Sequence, residues 1–315
     1  MIVTVTLNPA VDRVVVLYEL RLGDTNRVSD GEIDPGGKGV NVSRVLRELG
    51  GVSLATGFVA GSLGHFVVAS LDKAGIANAF IHTPGQTRQN LALVETRWHR
   101  HTMLNEAGPT TEPRFLGQLE QQLSRRVAPG DWVVLAGSVP PGIPPTVYAA
   151  LTDLVHARGG LVCLDADGEP LIEGVRARPD LVKPNREELQ RLVGAPVATD
   201  RQVLLAAQQL RQRGIGEVVV SLGQQGSIAL GPAGAWRASP PAIQTISAIG
   251  SGDSLVAGVV LALSRGESLP EGLRIGTAAG AATAMRPGTR LALAEDIQRL
   301  LPLVVVEPLA LQKAA

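Results

Sequence analysis

Short apolar runs that alternate with helical patterns are the feature that most constrains the fold of this chain. Five of these runs are "VSLATGFVA", "DWVVLAG", "GLVCLDA", "DLVKPN" and "EVVVSLG". Near-continuous apolar character is typical of strands that are covered on both faces, as in a parallel sheet. Because such strands alternate with helical stretches here, the sequence predicts a doubly wound, mainly parallel α/β sheet.

Two of the intervening stretches show clear helical periodicity. The first has apolar residues at positions i, i+3, i+4 and i+7, namely Val42, Val45, Leu46 and Leu49. The pair Gly50-Gly51 provides its stop signal. The second, "DRQVLLAAQQLRQRG", ends at Gly214, and its expected core contacts are Leu204, Ala207 and Leu210.

Two regions depart from this rhythm and look like alternating, half-exposed strands. They are "DRVVVLYEL" with "NRVSDGEID", and "RQNLALVETRWHRHTML". We expect them to pair into a small β-sheet that overhangs the main sheet as a lid. Since no Pro/Gly/Ser linker separates them from the rest, the lid segments, about 12–35 and 86–106, are predicted to be excursions of one domain that covers residues 1–315.

Composition narrows the class of protein. The 315 residues are 45% apolar, and 29 Lys and Arg balance 29 Asp and Glu. Balanced charge does not favour nucleic acid or an anionic membrane surface as a partner. The sequence has no run of about 18 apolar residues, so a membrane span is not expected. The single cysteine, Cys163, lies in an apolar run and is predicted to be a buried structural thiol. We therefore expect a cytoplasmic protein with small-molecule partners.

The stretch "AIGSGDSLVAG" at residues 248–258 places a carboxylate at the start of an apolar helix. A dinucleotide fingerprint would need a third glycine at Leu255, and a Walker A loop would need a Gly-Lys pair. The free amides of Gly250 to Gly252 can converge on an anion. Asp253 beside them could accept a proton from a hydroxyl, although an aspartate that only caps the helix fits this stretch equally well.

Two polar loops near the start of the chain are further candidates. In "PGGKGVN", at residues 35–41, glycines let a ligand approach the backbone before a helix, although a purely structural turn is the alternative. Asn8 and Asp12 follow the apolar strand "IVTVTL" and could bind hydroxyl groups. The alternative for Asp12 is a solvated turn residue after proline.

Two later motifs suggest metal and nucleotide contacts. In "KPNREEL", Asn185 and Glu188 lie three residues apart across a helix start and could hold a hydrated Mg²⁺. An exposed helix entry with solvated charges is the alternative. "VVVSLGQQGS" offers Ser221, Gly223 and Gly226, either as a plain β-turn or as a surface for a nucleotide phosphate or ribose.

The joint order of these motifs, from Thr4 to about Leu291, resembles the ribokinase-like (PfkB-type) carbohydrate kinases. "GGKGVNVSRVLRELGG" and "SAIGSGDSLVAGVVLAL" look like the two signatures of that family, and "KPNREEL" and "VVVSLGQQGS" are similar to its metal and nucleotide elements. The resemblance implies a three-layer α/β/α sandwich with a β-lid. It also implies dependence on ATP and Mg²⁺ and transfer of the γ-phosphoryl group to a sugar hydroxyl.

The resemblance also implies roles for individual residues, which are assigned by their positions in the matching motifs. Asp253 would be the catalytic base, and the anion hole would comprise Gly250, Ser251 and Gly252. The expected nucleotide contacts are Lys183, Asn185, Ser221, Gly223 and Gly226, and Asn185 and Glu188 would hold Mg²⁺ largely through water. The expected sugar contacts are Asp12, Gly37, Lys38, Asn41 and Asn90. Ser251 replaces the usual alanine of the family, which is a conservative change in a loop of amide donors.

Three motifs are similar to the branch that acts on phosphorylated ketohexoses: "TLNPAVD", "TRQN" and "LAGSVPPG". There, Arg88 would bind the phosphate already on the substrate, because a guanidinium is planar and permanently charged. Ser138 and Lys38 would assist, with Arg27 a weaker candidate. The subtype markers conflict: "GGKG" and "GDTNRV" are similar to 1-phosphofructokinases and tagatose-6-phosphate kinases, "TRQNL" and "GTRL" to the minor 6-phosphofructokinase, and "GSGDS" to tagatose-6-phosphate kinases. We favour 1-phosphofructokinase and conversion of fructose 1-phosphate to fructose 1,6-bisphosphate. Tagatose-6-phosphate kinase and 6-phosphofructokinase activities remain alternatives.

Two other classes of function are alternatives to a kinase. A non-catalytic regulator that binds sugar phosphate or nucleotide would not need the base Asp253 or the Asn185/Glu188 pair. A dinucleotide-dependent oxidoreductase would need a G-x-G-x-x-G after the first strand, and the sequence has no such motif there. Lid sheets of related kinases often pack against each other, so a homodimer is expected. Trp98 would lie either in that interface or shielded on its own lid.

Overall fold

The computed structural model describes residues 1–28, 30–98 and 100–310, so Ser29 and His99 of the predicted lid segments and residues 311–315 lie outside it. Within those ranges, a central sheet has eleven strands. They are β1 (Ile2–Thr6), β4 (Ser53–Ala60), β5 (Ala77–Asn78), β6 (Ile81–Thr83), β9 (Trp132–Ala136), β10 (Leu161–Asp165), β11 (Leu181–Val182), β12 (Glu217–Ser221), β13 (Ser227–Gly231), β14 (Gly234–Ser239) and β15 (Val305–Leu309).

The strand order is β15-β14-β13-β12-β11-β10-β9-β1-β4-β5, and β6 pairs with the end of β4. All pairs from β5 to β12 are parallel, whereas β12 to β15 are antiparallel. The five apolar runs identified in the sequence form β4, β9, β10, β11 and β12 of the parallel part. The predicted fold class is therefore confirmed, and the antiparallel extension is an addition to it.

Helices cover both faces of the central sheet. Their bounds are α1 (Lys38–Glu48), α2 (Gly61–Lys73), α3 (Pro113–Arg126), α4 (Val147–Ala157), α5 (Gly168–Gly174), α6 (Arg186–Val193), α7 (Asp200–Gln212), α8 (Ser251–Ser264), α9 (Leu269–Ala284) and α10 (Ala294–Leu300). Consecutive residues of β9 belong to different hydrophobic clusters: Val133 packs with residues of α3 to α7, and Val134 with residues of α1 and α8 to α10. Since neighbouring side chains of a strand point to opposite faces, the molecule has three layers.

The two helices predicted from periodicity form as α1 and α7. In α7 the expected contacts Ala207 and Leu210 are buried, while Leu204 is only partly buried against the core. Cys163 of β10 is fully buried, and this burial raises the pKa of its thiol. The expectation of a structural thiol agrees with that position. No helix in the described part of the chain combines the length and the apolarity needed to span a bilayer.

The two atypical regions form a separate four-stranded sheet within the described ranges, here called the lid. Its strands are β2 (Ala10–Leu17), β3 (Asp30–Gly36), β7 (Arg88–Glu95) and β8 (Arg100–Asn105), in the order β3-β2-β7-β8. The register aligns one polar row across the lid, which consists of Asp34, Asp12, Asn90 and Asn105. The adjacent row, which faces the other way, consists of Ile33, Arg13, Leu91 and Leu104. The pairing expected from the alternating pattern is thus present.

Candidate active site

Polar residues collect where the parallel strands end at their carboxyl edge, the usual ligand-binding edge of such a sheet. Each residue belongs to a different strand or to the loop after it: Asn8 (β1), Ser138 (β9), Asp165 (β10), Lys183 (β11) and Ser221 (β12). The lid strands β2 and β7 begin close to this edge, because Asn8 lies only two residues before β2 and contacts Arg88 of β7. The sheet and the lid together therefore position the predicted site.

The predicted base lies in the first turn of α8. Gly250 precedes this helix with φ 79°, a left-handed conformation that favours glycine, and a Cβ there would lie 2.5 Å from Leu291 Cδ2. Asp253 is only 7% exposed, and its Oδ2 accepts a hydrogen bond from Asn41 Nδ2 at 2.8 Å. The Ser251 amide donates to the Ala248 carbonyl at 3.3 Å. The Ser251 amide is therefore not free, contrary to the expectation from the sequence. The amides of Gly252 and Asp253, which follow it, have no backbone acceptor among the described residues and can serve an anion.

The environment of Asp253 disfavours its charged form. Burial raises the pKa of this carboxyl to about 6, and the negative charge of Asp165 acts in the same direction. Lys38, the hydrogen bond from Asn41 and Lys183 oppose that shift. A carboxylate whose pKa lies near neutrality is well matched to accepting a proton from a substrate hydroxyl.

Asp165 is a central site residue that the sequence interpretation did not single out. Its Oδ1 accepts a hydrogen bond from Lys38 Nζ at 2.8 Å, and its Oδ2 lies 3.4 Å from Lys183 Nζ. Burial alone would raise the pKa of Asp165, but the two lysines outweigh burial and lower it. Oδ2 is buried and makes no hydrogen bond to the described residues. The available signal was an acid at the end of the apolar run "GLVCLDA".

The polar row of the lid surrounds Asp12. Asn90 Nδ2 donates to Asp12 Oδ1 at 2.7 Å. A Cβ at Gly36 would lie 2.1 Å from Asp12 Oδ2, so only glycine permits this approach of β3. Burial raises the pKa of Asp12, although Asn90 and Arg88 oppose the shift. The predicted sugar contacts Asp12 and Asn90 therefore lie together with Arg88 close by.

Arg88 is held by backbone carbonyls at the base of the lid. Its Nε donates to the Asn8 carbonyl at 3.2 Å, and its Nη1 donates to the Glu106 carbonyl at 3.0 Å. A cavity of about 600 Å³ opens beside Arg88, between residues 84–86 and 106–110. Arg27, the weaker candidate for binding the phosphate, lies exposed in the loop between β2 and β3. Among the described residues, no hydrogen bond connects Arg27 to Arg88 or to the residues that line this cavity.

The predicted loop glycines and Ser138 occupy the sheet edge. Gly37 has φ 106°, and a Cβ there would lie 2.9 Å from Thr6 Cγ2, so the loop before α1 packs tightly onto β1. The following Lys38 reaches Asp165, as described above. Ser138 is exposed in the loop after β9, and its Oγ lies 3.2 Å from Asn8 Nδ2.

Asn185 and Glu188 form a reciprocal capping box at the start of α6. Asn185 Oδ1 accepts from the Glu188 amide at 2.8 Å, and Glu188 Oε2 accepts from the Asn185 amide at 2.7 Å. Glu188 is buried, which raises its pKa, and it lies close enough to Lys38 and Lys183 for their charges to oppose that rise. The solvated helix entry considered from the sequence does not describe Glu188.

The predicted nucleotide residues surround the end of β12. Asn185 forms a parallel bridge with Ser221, which brings the α6 entry beside this strand end. Gly223 and Gly226 bound a short turn and both have positive φ, 60° and 84°. The described residues contain no group of three or more His, Cys, Asp or Glu side chains arranged as a metal cage.

The buried carboxylate at a helix start and the four-stranded lid beside the carboxyl edge of a parallel sheet agree with the expected class, the α/β small-molecule kinases. Residues 5–296 match the family model described as pfkB family carbohydrate kinase. The chain belongs to this family, as the order of its motifs indicated.

Full-length relatives and solved structures agree with this membership. A 1-phosphofructokinase of Bacillus subtilis is 35% identical over 307 residues, which cover 97% of this chain and 99% of the relative. An ATP-dependent 6-phosphofructokinase isozyme 2 of Mycobacterium tuberculosis is 33% identical and covers 96% and 89%. The Escherichia coli phosphofructokinase-2 structure in complex with potassium superposes with a TM-score of 0.91 at 30% identity and covers 96% and 98%.

Proposed function

We propose that this protein transfers the γ-phosphoryl group of ATP to a ketohexose monophosphate, with fructose 1-phosphate as the preferred substrate and fructose 1,6-bisphosphate as the product. The observation that carries the proposal is the position of Asp253. Asp253 is buried at a helix start, and its pKa is raised to about 6. It accepts a hydrogen bond from Asn41 of α1, and α1 with the loop before it contacts the lid. Relatives named 1-phosphofructokinase that match over nearly the full length support the choice of sugar.

The chemistry follows from the placement of these groups. Asp12 and Asn90 orient the sugar, while Arg88 and Ser138 bind the phosphate that it already carries. Asp253 accepts the proton of the attacking sugar hydroxyl while the oxygen of that hydroxyl bonds to the γ-phosphorus. The bond from that phosphorus to the β,γ-bridging oxygen breaks, and ADP leaves. Positioning and charge neutralisation supply most of the catalysis in such reactions.

Lysine and amide groups stabilise the charge that moves with the phosphoryl group. A Cβ at Gly252 would lie only 3.4 Å from Lys183 Nζ, so this ammonium borders the first turn of α8. Within the Gly250–Gly252 segment, the amides of Gly250 and Gly252 act beside it as the anion hole, while the Ser251 amide donates to the Ala248 carbonyl. Asn185, Ser221, Gly223 and Gly226 form the nucleotide side of the site.

Mg²⁺ is the proposed companion of ATP. Asp165 Oδ2 is a buried carboxylate oxygen whose partner among the described residues is the Lys183 ammonium, 3.4 Å away, and the Glu188 carboxyl lies close enough to feel the charge of Asp165. Carboxylate oxygens that act directly or through water suit this ion, so Asp165, Glu188 and Asn185 would hold it. When bound, Mg²⁺ neutralises phosphate charge.

One coupled assay with ATP and Mg²⁺ tests the function and the choice of sugar. We expect the highest kcat/KM with fructose 1-phosphate, lower values with fructose 6-phosphate and tagatose 6-phosphate, and the lowest with fructose. If fructose were the best acceptor, the role given to Arg88 would be wrong. Binding of sugar phosphate without turnover of ATP would instead favour a non-catalytic regulator.

We also propose that the lid mediates a homodimer. Its outward row carries Ile33 and Leu104, which are 52% and 53% exposed, and Trp98 is 54% exposed rather than shielded on its own lid. Sedimentation velocity should give a dimer for the wild type and a monomer for Leu104→Arg. The matched control Leu205→Arg changes an exposed leucine of α7 and should stay dimeric. A monomeric wild type would contradict this proposal.

A further inference from the structure

Asn8 connects the two groups that are proposed to bind the substrate phosphate. Its side chain is buried, 4% exposed, between β1 and β2. Nδ2 lies 2.9 Å from the Ala107 carbonyl and 3.2 Å from Ser138 Oγ. The main-chain carbonyl of Asn8 accepts the Nε–H of Arg88 at 3.2 Å.

The Ala107 contact fixes which way the Asn8 amide points. A backbone carbonyl can only accept hydrogen bonds, so the atom of Asn8 that faces it must be the nitrogen and not the oxygen. On the other side, a Cβ at Gly108 would lie 2.3 Å from Asn8 Oδ1. Glycine at this position therefore lets the chain pass close to the amide oxygen.

This orientation determines how the Ser138 hydroxyl is used. An amide nitrogen is only a donor, so Ser138 Oγ must accept the hydrogen bond from Asn8. The Ser138 hydroxyl hydrogen then remains available to donate to a different group. Ser138 is exposed at the sheet edge, where an anion can receive that hydrogen. A phosphate oxygen, which only accepts when ionised, is the chemical class of ligand that fits.

We propose that Asn8 is a positioning residue that makes Ser138 a dedicated donor to the phosphate of the substrate. Through its carbonyl, Asn8 also holds the Arg88 guanidinium, which leaves other N–H groups of that side chain for the same phosphate. The inference rests on the proposed function, because it concerns the phosphate that the sugar carries. It adds a residue that selects phosphorylated over unphosphorylated sugars without touching either.

Two substitutions of Asn8 separate orientation from packing. Asn8→Asp preserves size but turns the donor into an acceptor, so Ser138 would donate to the carboxylate and lose its hydrogen for the phosphate. Asn8→Ala removes more packing but leaves the Ser138 hydroxyl free to turn. Affinities for fructose 1-phosphate and fructose should be measured by calorimetry without nucleotide, with kinetics in parallel.

We expect the dissociation constant for fructose 1-phosphate to rise about two- to fivefold in Asn8→Ala. In Asn8→Asp it should rise about 10- to 100-fold, the range for loss of one charge-assisted hydrogen bond. The affinity for fructose should change less than twofold in both variants. A purely structural role predicts instead that both sugars are equally affected in each variant, in proportion to the loss of folding stability.

Measuring the Asn8 variants in a Ser138→Ala background separates the effect of the Ser138 hydroxyl from the effect of the charge that Asn8→Asp adds. There, Asn8→Ala should have no further effect, and any remaining effect of Asn8→Asp measures charge repulsion together with loss of the hydrogen bond to the Ala107 carbonyl. If Asn8→Asp weakened phosphate binding equally with and without Ser138, the inference would be overturned. A wild type that binds fructose 1-phosphate but does not phosphorylate it would overturn the proposed function, while the order of the variants would still decide the role of Asn8.

Discussion

At the scale of single residues, the two aspartates of the site have opposite electrostatic environments. Asp165 shares two lysine ammonium groups, which outweigh its burial and keep it ionised. Asp253 has burial and the neighbouring Asp165 charge acting against its ionised form, which raises its pKa to about 6. One carboxylate is thereby suited to a fixed negative charge and the other to exchanging a proton.

Replacement of the proposed base tests this division. Asp253→Asn should lower kcat by about 10²–10⁴-fold, because the amide cannot accept the hydroxyl proton, with little change in sugar affinity. In the wild type, Asp253 must be ionised to act, so kcat should decrease as the pH falls through about 6. A pH–rate profile of both proteins measures this. Near-normal turnover of the variant would remove Asp253 from this role.

The Ser251 hydroxyl allows a second test. Its Oγ is buried and has no hydrogen-bond partner among the described residues. Because a buried unsatisfied hydroxyl destabilises the folded state, Ser251→Ala should raise the free energy of unfolding by about 1 kcal/mol and leave kcat within about twofold. Thermal unfolding and steady-state assays provide the two readouts. A severalfold loss of kcat at unchanged stability would mean that the hydroxyl contacts the transferred group.

At the scale of single residues, some of the candidate site could be predicted from the sequence and the rest could not. Asp253 is marked by its flanking glycines and by the apolar helix that follows it. Asp165 carries no such mark, since a single acid after an apolar strand is common. Its importance comes from two lysines on other elements, Lys38 of α1 and Lys183 after β11. The role of Asn8 likewise depends on contacts with Ala107 and Ser138 that local sequence does not encode.

At the scale of elements, the start of α6 shows that one pattern can have two physical uses. Asn-x-x-Glu is a sequence signature of a capping box, and Asn185 and Glu188 form that box. The same pair was interpreted from the sequence as a metal element. Burial and the nearby lysines place Glu188 beside Asp165 in the charge network, so capping does not preclude a metal role.

A conservative substitution separates the two uses of Glu188. Glutamine at the third helical position keeps the capping box, so Glu188→Gln should change the melting temperature by only about 1 °C. Because the amide is neutral, we expect the Mg²⁺ concentration for half-maximal activity to rise about tenfold. The control Thr199→Ala removes the cap of the equivalent capping box at α7, so it should cost about 1 kcal/mol and leave the Mg²⁺ dependence unchanged. Unchanged Mg²⁺ dependence in Glu188→Gln would contradict the metal role.

Strand prediction succeeded where the local pattern is strong. The continuous apolar runs that became β4, β9, β10 and β12 are buried on both faces, and burial is what such runs indicate. Strand β15 is half-exposed, pairs antiparallel with β14 about 70 residues earlier in the chain, and packs Val306 and Leu309 against the core. Its position follows from tertiary pairing, which a local pattern does not contain.

At the scale of the whole molecule, the lid is joined to the segment that borders the anion hole. Thr289 Oγ1 donates to Asp34 Oδ2 of β3 at 2.9 Å, and Arg290 pairs with Glu32 of the same strand. On the other side, Ser247 Oγ donates to the Gly288 carbonyl at 2.7 Å. The sugar side and the phosphoryl-transfer side of the site are therefore in contact through residues 286–291.

Thr289→Val tests whether this junction supports lid closure. Valine keeps the shape but removes one hydrogen bond to Asp34, which should favour lid opening by about 1 kcal/mol. We expect the KM for fructose 1-phosphate to rise about fivefold, since the sugar is held by the lid, while the KM for ATP changes less than twofold. Hydrogen exchange at the β3 amides should accelerate in parallel.

A matched control distinguishes this junction from general weakening of the lid. Thr102→Val makes the same change on β8, the opposite edge of the lid sheet from β3. It should leave both KM values and the exchange of β3 unaltered. If both variants raised the two KM values together and lowered the melting temperature equally, Thr289 would act only in folding. A selective rise for the sugar phosphate in Thr289→Val would establish that closure of the lid depends on its contact with the loop beside the base.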